Sequence, residues 1–207
     1  MKIKILALVL ARGKSRRLLK KNLKKIGNKT LVELAILSGQ NIKEIVDILV
    51  STDNKKIFKI AKKAGALVPW LRPKKLSKNT STSAESAIHA LDWYEKSVSS
   101  VDALLLLQPT SPFRKKKTII NAIRLFKKNR SKQIVTTFYT KKKFFLKKEL
   151  INGVIYLTPV ATLKKYKTFY YKKFIPFMMR SKKEAIDINT IEDLKIARKF
   201  YNKKFLA

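Results

Sequence analysis

Apolar and polar positions along the first two-thirds of this chain fall into blocks that switch between a strand-like and a helix-like period. Ile3 to Leu10 is a short, almost unbroken apolar run that predicts a first strand. Thr30-Leu31-Val32-Glu33 has the form of a capping box, in which a hydroxyl and a carboxylate satisfy each other's backbone amides. It opens a predicted helix with Leu31, Leu34 and Ala35 on one face. Ile45 to Ser51 predicts a second strand. After it, Asp53 reads first as the cap of a helix that turns Ile57, Ile60, Ala61 and Ala64 inward and stops at Gly65.

The alternation continues. Ala66 to Pro69 predicts a short third strand, and Thr82-Ser83-Ala84-Glu85 a second capping box ahead of Ala84, Ala87, Ile88 and Leu91 at helical spacing. Leu104 to Leu107 is continuously apolar, as suits a strand covered on both faces. A helix carrying Ile119, Ile120, Ile123 and Phe126 follows. Gln133 to Tyr139 and Gly153 to Thr158 predict two further strands around a basic stretch, Lys141 to Lys148. Leu163 to Met179 mixes aromatics and lysines without a period. A last helix is expected from near Thr190, burying Leu194, Ala197 and Phe200. Strands alternating with helices predict an α/β fold with a mostly parallel, doubly wound sheet.

Composition narrows this picture. The 207 residues suit one domain, and 45% hydrophobic residues suffice for a sizeable core. Cysteine is absent, which excludes disulfides, thiolate metal sites and cysteine nucleophiles. The basic segment from Arg12 to Lys25 comes after the first apolar run, whereas a secretory leader carries its charge before it. No segment approaches the ~20 apolar residues that span a bilayer. A cytoplasmic protein without membrane partners is therefore expected.

Charge adds a second possibility. Lys and Arg number 49 against 13 Asp and Glu, a formal net of +36, which suits a polyanionic partner such as nucleic acid. The lysines are spread along the whole chain, and Ile, Phe, Tyr and Asn are also frequent, the profile of an AT-biased coding sequence. Drift and selected polyanion binding both remain open at this point.

Six short elements could carry chemistry. Ala11 to Asn22, after the first strand, joins Gly13 to Arg12, Lys14, Ser15, Arg16, Arg17 and Lys21. A glycine there lets backbone amides approach an anion, and the cations could neutralise a polyphosphate. It is neither a Walker sequence nor a dinucleotide fingerprint. Ser51-Thr52-Asp53 ends the second strand. Arg72-Pro73 holds Arg72 extended before the hydroxyl-rich Ser77 to Ser83. Gln108-Pro109-Thr110-Ser111-Pro112-Phe113-Arg114 follows the buried Leu104 strand at its carboxyl end, where open α/β sheets bind ligands. Asn152-Gly153-Val154-Ile155-Tyr156 turns into a strand, and Asp187-Ile188-Asn189 comes late in a chain short of carboxylates. His89, the single histidine, falls inside a predicted helix, so histidine-dependent triads are not expected; Trp70 and Trp93 read as core.

In this order the elements resemble the acylneuraminate cytidylyltransferases, the CMP-sialic acid synthetases and their nonulosonate relatives. Gln108 to Arg114 is the most specific part, and the resemblance covers nearly the full chain. CMP-Kdo synthetases share the Ala-Arg…Ser…Arg-Leu…Lys pattern without the Gln-Pro-Thr-Ser-Pro element and rank second. The resemblance implies a nucleotide-diphospho-sugar transferase-like, three-layer sheet. It also implies a homodimer and a C-terminal dimerisation and sugar-binding extension near residues 135–180. The implied reaction joins CTP and a nonulosonic acid with Mg²⁺, releasing pyrophosphate.

By the same resemblance Arg12, Gly13, Ser15 and Asn22 would hold the nucleotide, and Arg12, Arg16 and Lys21 the reacting phosphates. Arg72 and Ser83 would contact cytosine or its ribose. Gln108, Thr110, Ser111 and Arg114 would face the sugar, and Asp187 would hold Mg²⁺. Four departures stand out: Lys14 in place of a usual glycine, Leu19 in place of a usual proline, Asn189 in place of the second aspartate of Asp-x-Asp, and a shortened stretch between Val135 and Asn152. A catalytically weakened paralogue is the variant reading these departures imply.

Overall fold

A computed structural model describes residues 3–78, 80–129, 132–138, 151–171 and 173–202. The basic stretch Lys141 to Lys148, Tyr139 and Asn79 lie outside the described residues.

The chain runs β1 (Ile5–Leu10), a hairpin of β2 (Lys25–Ile26) and β3 (Lys29–Thr30), α1 (Leu31–Gly39), β4 (Ile45–Ser51) and α2 (Lys55–Lys63). Then come α3 (Ser83–Ser97), β5 (Ala103–Leu106), α4 (Lys116–Lys128), β6 (Ile134–Phe138) and β7 (Ile151–Pro159). α5 (Val160–Tyr166), β8 (Ile175–Met179) and α6 (Ile191–Asn202) complete it. The main sheet has six strands in the order β4-β1-β5-β7-β6-β8. β1 pairs in parallel with β4 and β5, and β6 with β8, while β7 alone runs antiparallel, between β5 and β6. The expected mostly parallel, doubly wound sheet is present. Part of the stretch expected as a C-terminal extension, β6 to β8, consists of strands of this main sheet.

Side-chain alternation along β1 builds the layers. Ile5, Ala7 and Val9 point to one face, where α1, α2 and α4 cover them with Val32, Ile36, Ile57, Ala61, Ile119 and Phe126. Leu6 and Leu8 point to the other, under Ala87, Leu91 and Tyr94 of α3 and Leu163 of α5. A smaller core of Leu18, Ile26, Leu31, Ile188, Leu194 and Ala197 fastens α6 and the hairpin to the loop after β1. Each such fully buried Leu or Ile contributes about 1.5–3 kcal/mol relative to exposure. Among the described residues no helix is long and apolar enough to cross a membrane.

Both capping boxes form as their sequences predict: the hydroxyls of Thr30 and Thr82 accept the Glu33 and Glu85 amides, and each glutamate returns to its threonine's N–H. Gly65 ends the second helical segment with a positive φ of 82°. Three expectations change. The third strand reduces to isolated parallel bridges, Leu49 with Leu67 and Thr52 with Leu71, because Val68 to Trp70 make no continuous ladder. Asp53 does not cap α2. Asn54 does, accepting the Lys56 and Ile57 amides at 2.9 and 3.1 Å. The aperiodic stretch from Leu163 to Met179 contains most of α5 and all of β8. His89 and Trp93 are half-buried, packed with Trp70 at ring-centroid distances of 5.4 and 4.9 Å respectively, in a cluster against the α3 face of the core.

Candidate functional site

β1 and β5 are adjacent and parallel, so the loops at their carboxyl ends open side by side into one cleft, as the strand order of an open α/β sheet requires. The cavity there measures about 370 Å³. The loop after β1 supplies Arg12, Ser15, Arg16, Arg17, Lys21 and Asn22. The segment after β4 supplies Arg72, the start of α3 supplies Ser83 and Ser86, and the turn after β5 supplies Gln108 and Thr110. Asp187 and Asn189 close one side.

The loop after β1 is held by its neighbours. Gly13 donates its amide to Asp53 Oδ1 at 2.7 Å, so this N–H is already bound and is not free for an anion as the sequence suggested. A Cβ on Gly13 would come within 2.8 Å of Asn54, so only glycine lets the loop lie against the start of α2. Buried Asn22 reaches back to the Arg12 carbonyl at 2.8 Å. Arg12 in turn donates to the Lys78 carbonyl at 2.9 Å, joining this loop to the hydroxyl-rich one. The chain takes a positive φ of 52° at Lys20 and enters a short 3-10 turn, Lys21–Leu23.

Arg72 is buried, and its guanidinium is bonded to Ser51 and Ser86. Burial pushes it down to about 10; Asp53 counteracts and Arg12 adds to the fall, and the group remains a cation at neutral pH. Ser86 was not foreseen. Its spacing of three from Ser83 puts both on one helical face, and that signal could have found it.

The turn after β5 divides in two. Gln108 and Thr110 reach the cleft, and the Thr110 carbonyl accepts the Ile188 amide at 2.8 Å, tying the turn to the Asp187 segment. Ser111 and Arg114 lie beneath it, buried, and neither lines the cavity. Arg114 donates to the carbonyls of Val154 and Gln108 at 2.6 and 2.9 Å and contacts Ser38 Oγ at 3.3 Å. Its cation holds β7, the turn and α1 in register. Burial pushes it down to about 9, opposed by Glu184. Direct contact of Arg114 with a ligand in the cleft is not what this placement provides.

Gly153 takes a positive φ of 66°, and a Cβ there would meet Gln108 Oε1 at 2.8 Å and the Tyr156 hydroxyl at 3.3 Å. Tyr156 therefore stands beside Gln108, a neighbour that sequence reasoning saw only as part of a turn. Burial, then Tyr170 and Asp187, push its phenol up to about 12.

In the Asp187 segment, Asn189 Oδ1 accepts from Arg17 and from Lys21, both at 3.1 Å, and its Nδ2 donates to Asp187 Oδ2 at 2.6 Å. Asp187 Oδ1 is buried and has no partner among the described residues. Burial lowers the Lys21 ammonium below its usual value against the pull of Asp187, with Arg17 and Arg12 adding to the fall. No group of three or more His, Asp or Glu side chains is gathered for a metal among the described residues. The donor set fits Mg²⁺ in one way only: Asp187 as a single carboxylate, the remaining ligands coming from phosphate oxygens and water. Several cations and several neutral hydrogen-bonding groups line the same cavity, a combination whose chemistry suits a polyanion next to a polar organic group.

Residues 6–204 match a family model described as Cytidylyltransferase. A CMP-N,N'-diacetyllegionaminic acid synthase of Legionella pneumophila is 39% identical over 125 residues, 60% of this chain and 54% of that protein. An N-acylneuraminate cytidylyltransferase of Escherichia coli O18:K1:H7 is 34% identical over 126 residues, 61% of this chain and 29% of that protein. A pseudaminic acid cytidylyltransferase of Campylobacter jejuni is 29% identical over 130 residues, 63% of this chain and 56% of that protein. The chain spans about half the length of most of these curated relatives and less of the second. Among solved structures, a CMP:2-keto-3-deoxy-manno-octonic acid synthetase complexed with CTP superposes with a TM-score of 0.71 at 11% identity, over 97% of this chain and 99% of that one. A cytidylyltransferase from Leptospira borgpetersenii superposes with a TM-score of 0.67 at 20% identity, over 95% and 85%. These likenesses show the fold.

Proposed function

This chain belongs to the cytidylyltransferase family, and from that premise we propose that it transfers CMP from CTP to the anomeric hydroxyl of a nonulosonic, sialic-acid-like sugar. One observation carries the reading: Arg12, Arg16, Lys21, Arg72, Gln108 and Asp187, separated widely in sequence, line a single cavity. The relatives' names supply the substrate class.

In the reaction the sugar hydroxyl attacks the α-phosphorus of CTP. A new P–O bond forms, the bond to the bridging oxygen breaks, pyrophosphate leaves and the hydroxyl proton is released. The protein's part is alignment and charge neutralisation. Arg12, Arg16 and Lys21 balance the phosphates, with Ser15 and Asn22 holding the loop around them. Arg72 and Ser83 receive the cytidine. Gln108 and Thr110 bind the sugar across the cleft, with Arg114 and Ser111 supporting the turn from below. Asp187 would hold Mg²⁺, which supplies charge neutralisation on the phosphate oxygens when bound. A homodimer and a cytoplasmic location, where CTP is made, belong to the same reading.

The test is incubation of the purified protein with CTP, Mg²⁺ and a panel of nonulosonic acids, following pyrophosphate. Release with at least one acid is expected. Silence with all of them, where a relative works under the same conditions, would sink the reading.

The net charge of +36 favours a second reading, a nucleic-acid-binding protein on the same fold. It requires RNA or DNA binding that survives physiological salt and depends on sequence or shape. Asn189 favours a third, a weakened paralogue that binds CTP and turns over slowly. Detectable CTP binding with negligible pyrophosphate release would select it.

A further inference from the structure

We propose that Asn189 is a positioning residue, a neutral spacer that aims Lys21 and Arg17 into the cleft while keeping them from Asp187. The inference rests on the CTP reading given above. Its side-chain amide stands between groups of opposite charge. Oδ1 faces two cations at 3.1 Å each, and Nδ2 faces the Asp187 carboxylate at 2.6 Å. The orientation of the amide is dictated by this chemistry, because only the oxygen can accept from the cations and only the NH₂ can donate to the carboxylate. The backbone holds the spacer in place: the amides of Asn189 and Thr190 both donate to Asp193 Oδ2, at 2.9 and 2.8 Å.

The consequence is electrostatic. An aspartate at this position would form charge-assisted pairs with Lys21 and Arg17 and cancel much of their field. It would also bring a second negative charge against Asp187. The amide makes the same two directional contacts with the cations and cancels no charge. Among the described residues no ion pair within 4.0 Å joins Asp187 to Lys21 or Arg17. Both cations therefore remain available to an incoming polyphosphate, and Asp187 Oδ1 keeps no partner among the described residues. In this arrangement the chain's own cations take most of the triphosphate charge, and a divalent ion adds little to nucleotide affinity.

Calorimetric titration of CTP tests this in the presence of EDTA and again with Mg²⁺, on the wild-type chain, Asn189→Asp and Asn189→Ala. The wild type is expected to bind CTP without metal, and Mg²⁺ to change its affinity by less than about threefold. Asn189→Asp is expected to bind metal-free CTP at least about tenfold more weakly and to recover most of the loss with Mg²⁺. Asn189→Ala, which keeps the charges and loses their aim, is expected to fall between the two with no gain from Mg²⁺. It also serves if the aspartate variant fails to fold, and circular dichroism establishes which variants are native. Metal-free CTP binding by a folded Asn189→Asp as tight as the wild type's overturns the spacer, as does unchanged affinity in Asn189→Ala. A wild-type chain that binds no CTP under either condition overturns the nucleotide reading itself.

Discussion

Gln108 Oε1 lies 2.8 Å from the point where a Cβ on Gly153 would stand. The placement of the Gln108 side chain therefore depends on a missing side chain in β7, and the positive φ of 66° at Gly153 favours the same residue. Gly153→Ala is expected to cost about 1–2 kcal/mol from the left-handed backbone alone and to displace Gln108. Thermal unfolding should show the loss. Steady-state kinetics should show a raised KM for the sugar with CTP affinity little changed; an effect on CTP equal to that on the sugar would contradict the assignment.

Asp53 fastens the loop after β1 through the Gly13 amide at 2.7 Å. Asp53→Ala removes a charge-assisted bond, with an expected loss of about 1.5–3 kcal/mol. The loop's cations then lose their fixed placement, so CTP binding should weaken together with stability. Urea unfolding and calorimetry on the same preparation would check both. Loss of stability with full CTP affinity would separate the loop from the nucleotide.

Arg72 reaches Ser51 and Ser86 through different nitrogens of one planar group. Lysine carries the charge without the fork, so Arg72→Lys is not a conservative change here. Each charged hydrogen bond lost is expected to cost about 1.5–3 kcal/mol in stability. CTP affinity should fall by about tenfold or more. Wild-type affinity in the lysine variant would show that the cation alone suffices.

Alkaline stability should depend on Tyr94, whose hydroxyl donates to Asp47. Burial, then this bond and the Asp47 charge, push the phenol from 10.0 up to about 12. The unfolded chain therefore loses this proton first. The stabilising difference is intact below about pH 10 and is lost as pH rises toward about 12. Tyr94→Phe should flatten that decline in urea midpoints, with Tyr156→Phe as the comparison, since Tyr156 is also pushed up to about 12. An identical slope in Tyr94→Phe and wild type would dismiss the role.

Local patterns carried the helices and the cleft. Both capping boxes are satisfied within four residues, and so a short sequence contains everything they need. The Gln108 turn was legible for a similar reason: a buried strand that ends in Gln-Pro-Thr-Ser has few places to go except the sheet's carboxyl edge. Less local matters were hidden. Asp53 and Asn54 are both good caps by type, and only the partner at Gly13, 40 residues away, assigns one to the loop and the other to the helix. Arg114 resembled a ligand group because its burial beneath Val154 and Gln108 depends on β7. The direction of β7 was also invisible, since an apolar run reads the same both ways. β8 alternates exposed Pro176 and Met178 with partly covered Ile175 and Phe177, a weak period inside an aromatic-rich segment.

The reversed strand has a consequence for how such a protein can diversify. Because β7 runs against its neighbours, its beginning, not its end, arrives beside Gln108, and the chain numbered 139–150 feeds directly into it. The loops that carry Arg12 to Asn22 and Arg72 hang instead from the ends of β1 and β4. On the proposed reading, changes ahead of residue 151 therefore act on the side of the cleft next to Gln108, while the loops after β1 and β4 keep their scaffold. On that reading, exchanging residues 139–150 between relatives is expected to change which acceptor is used and to leave CTP affinity in place.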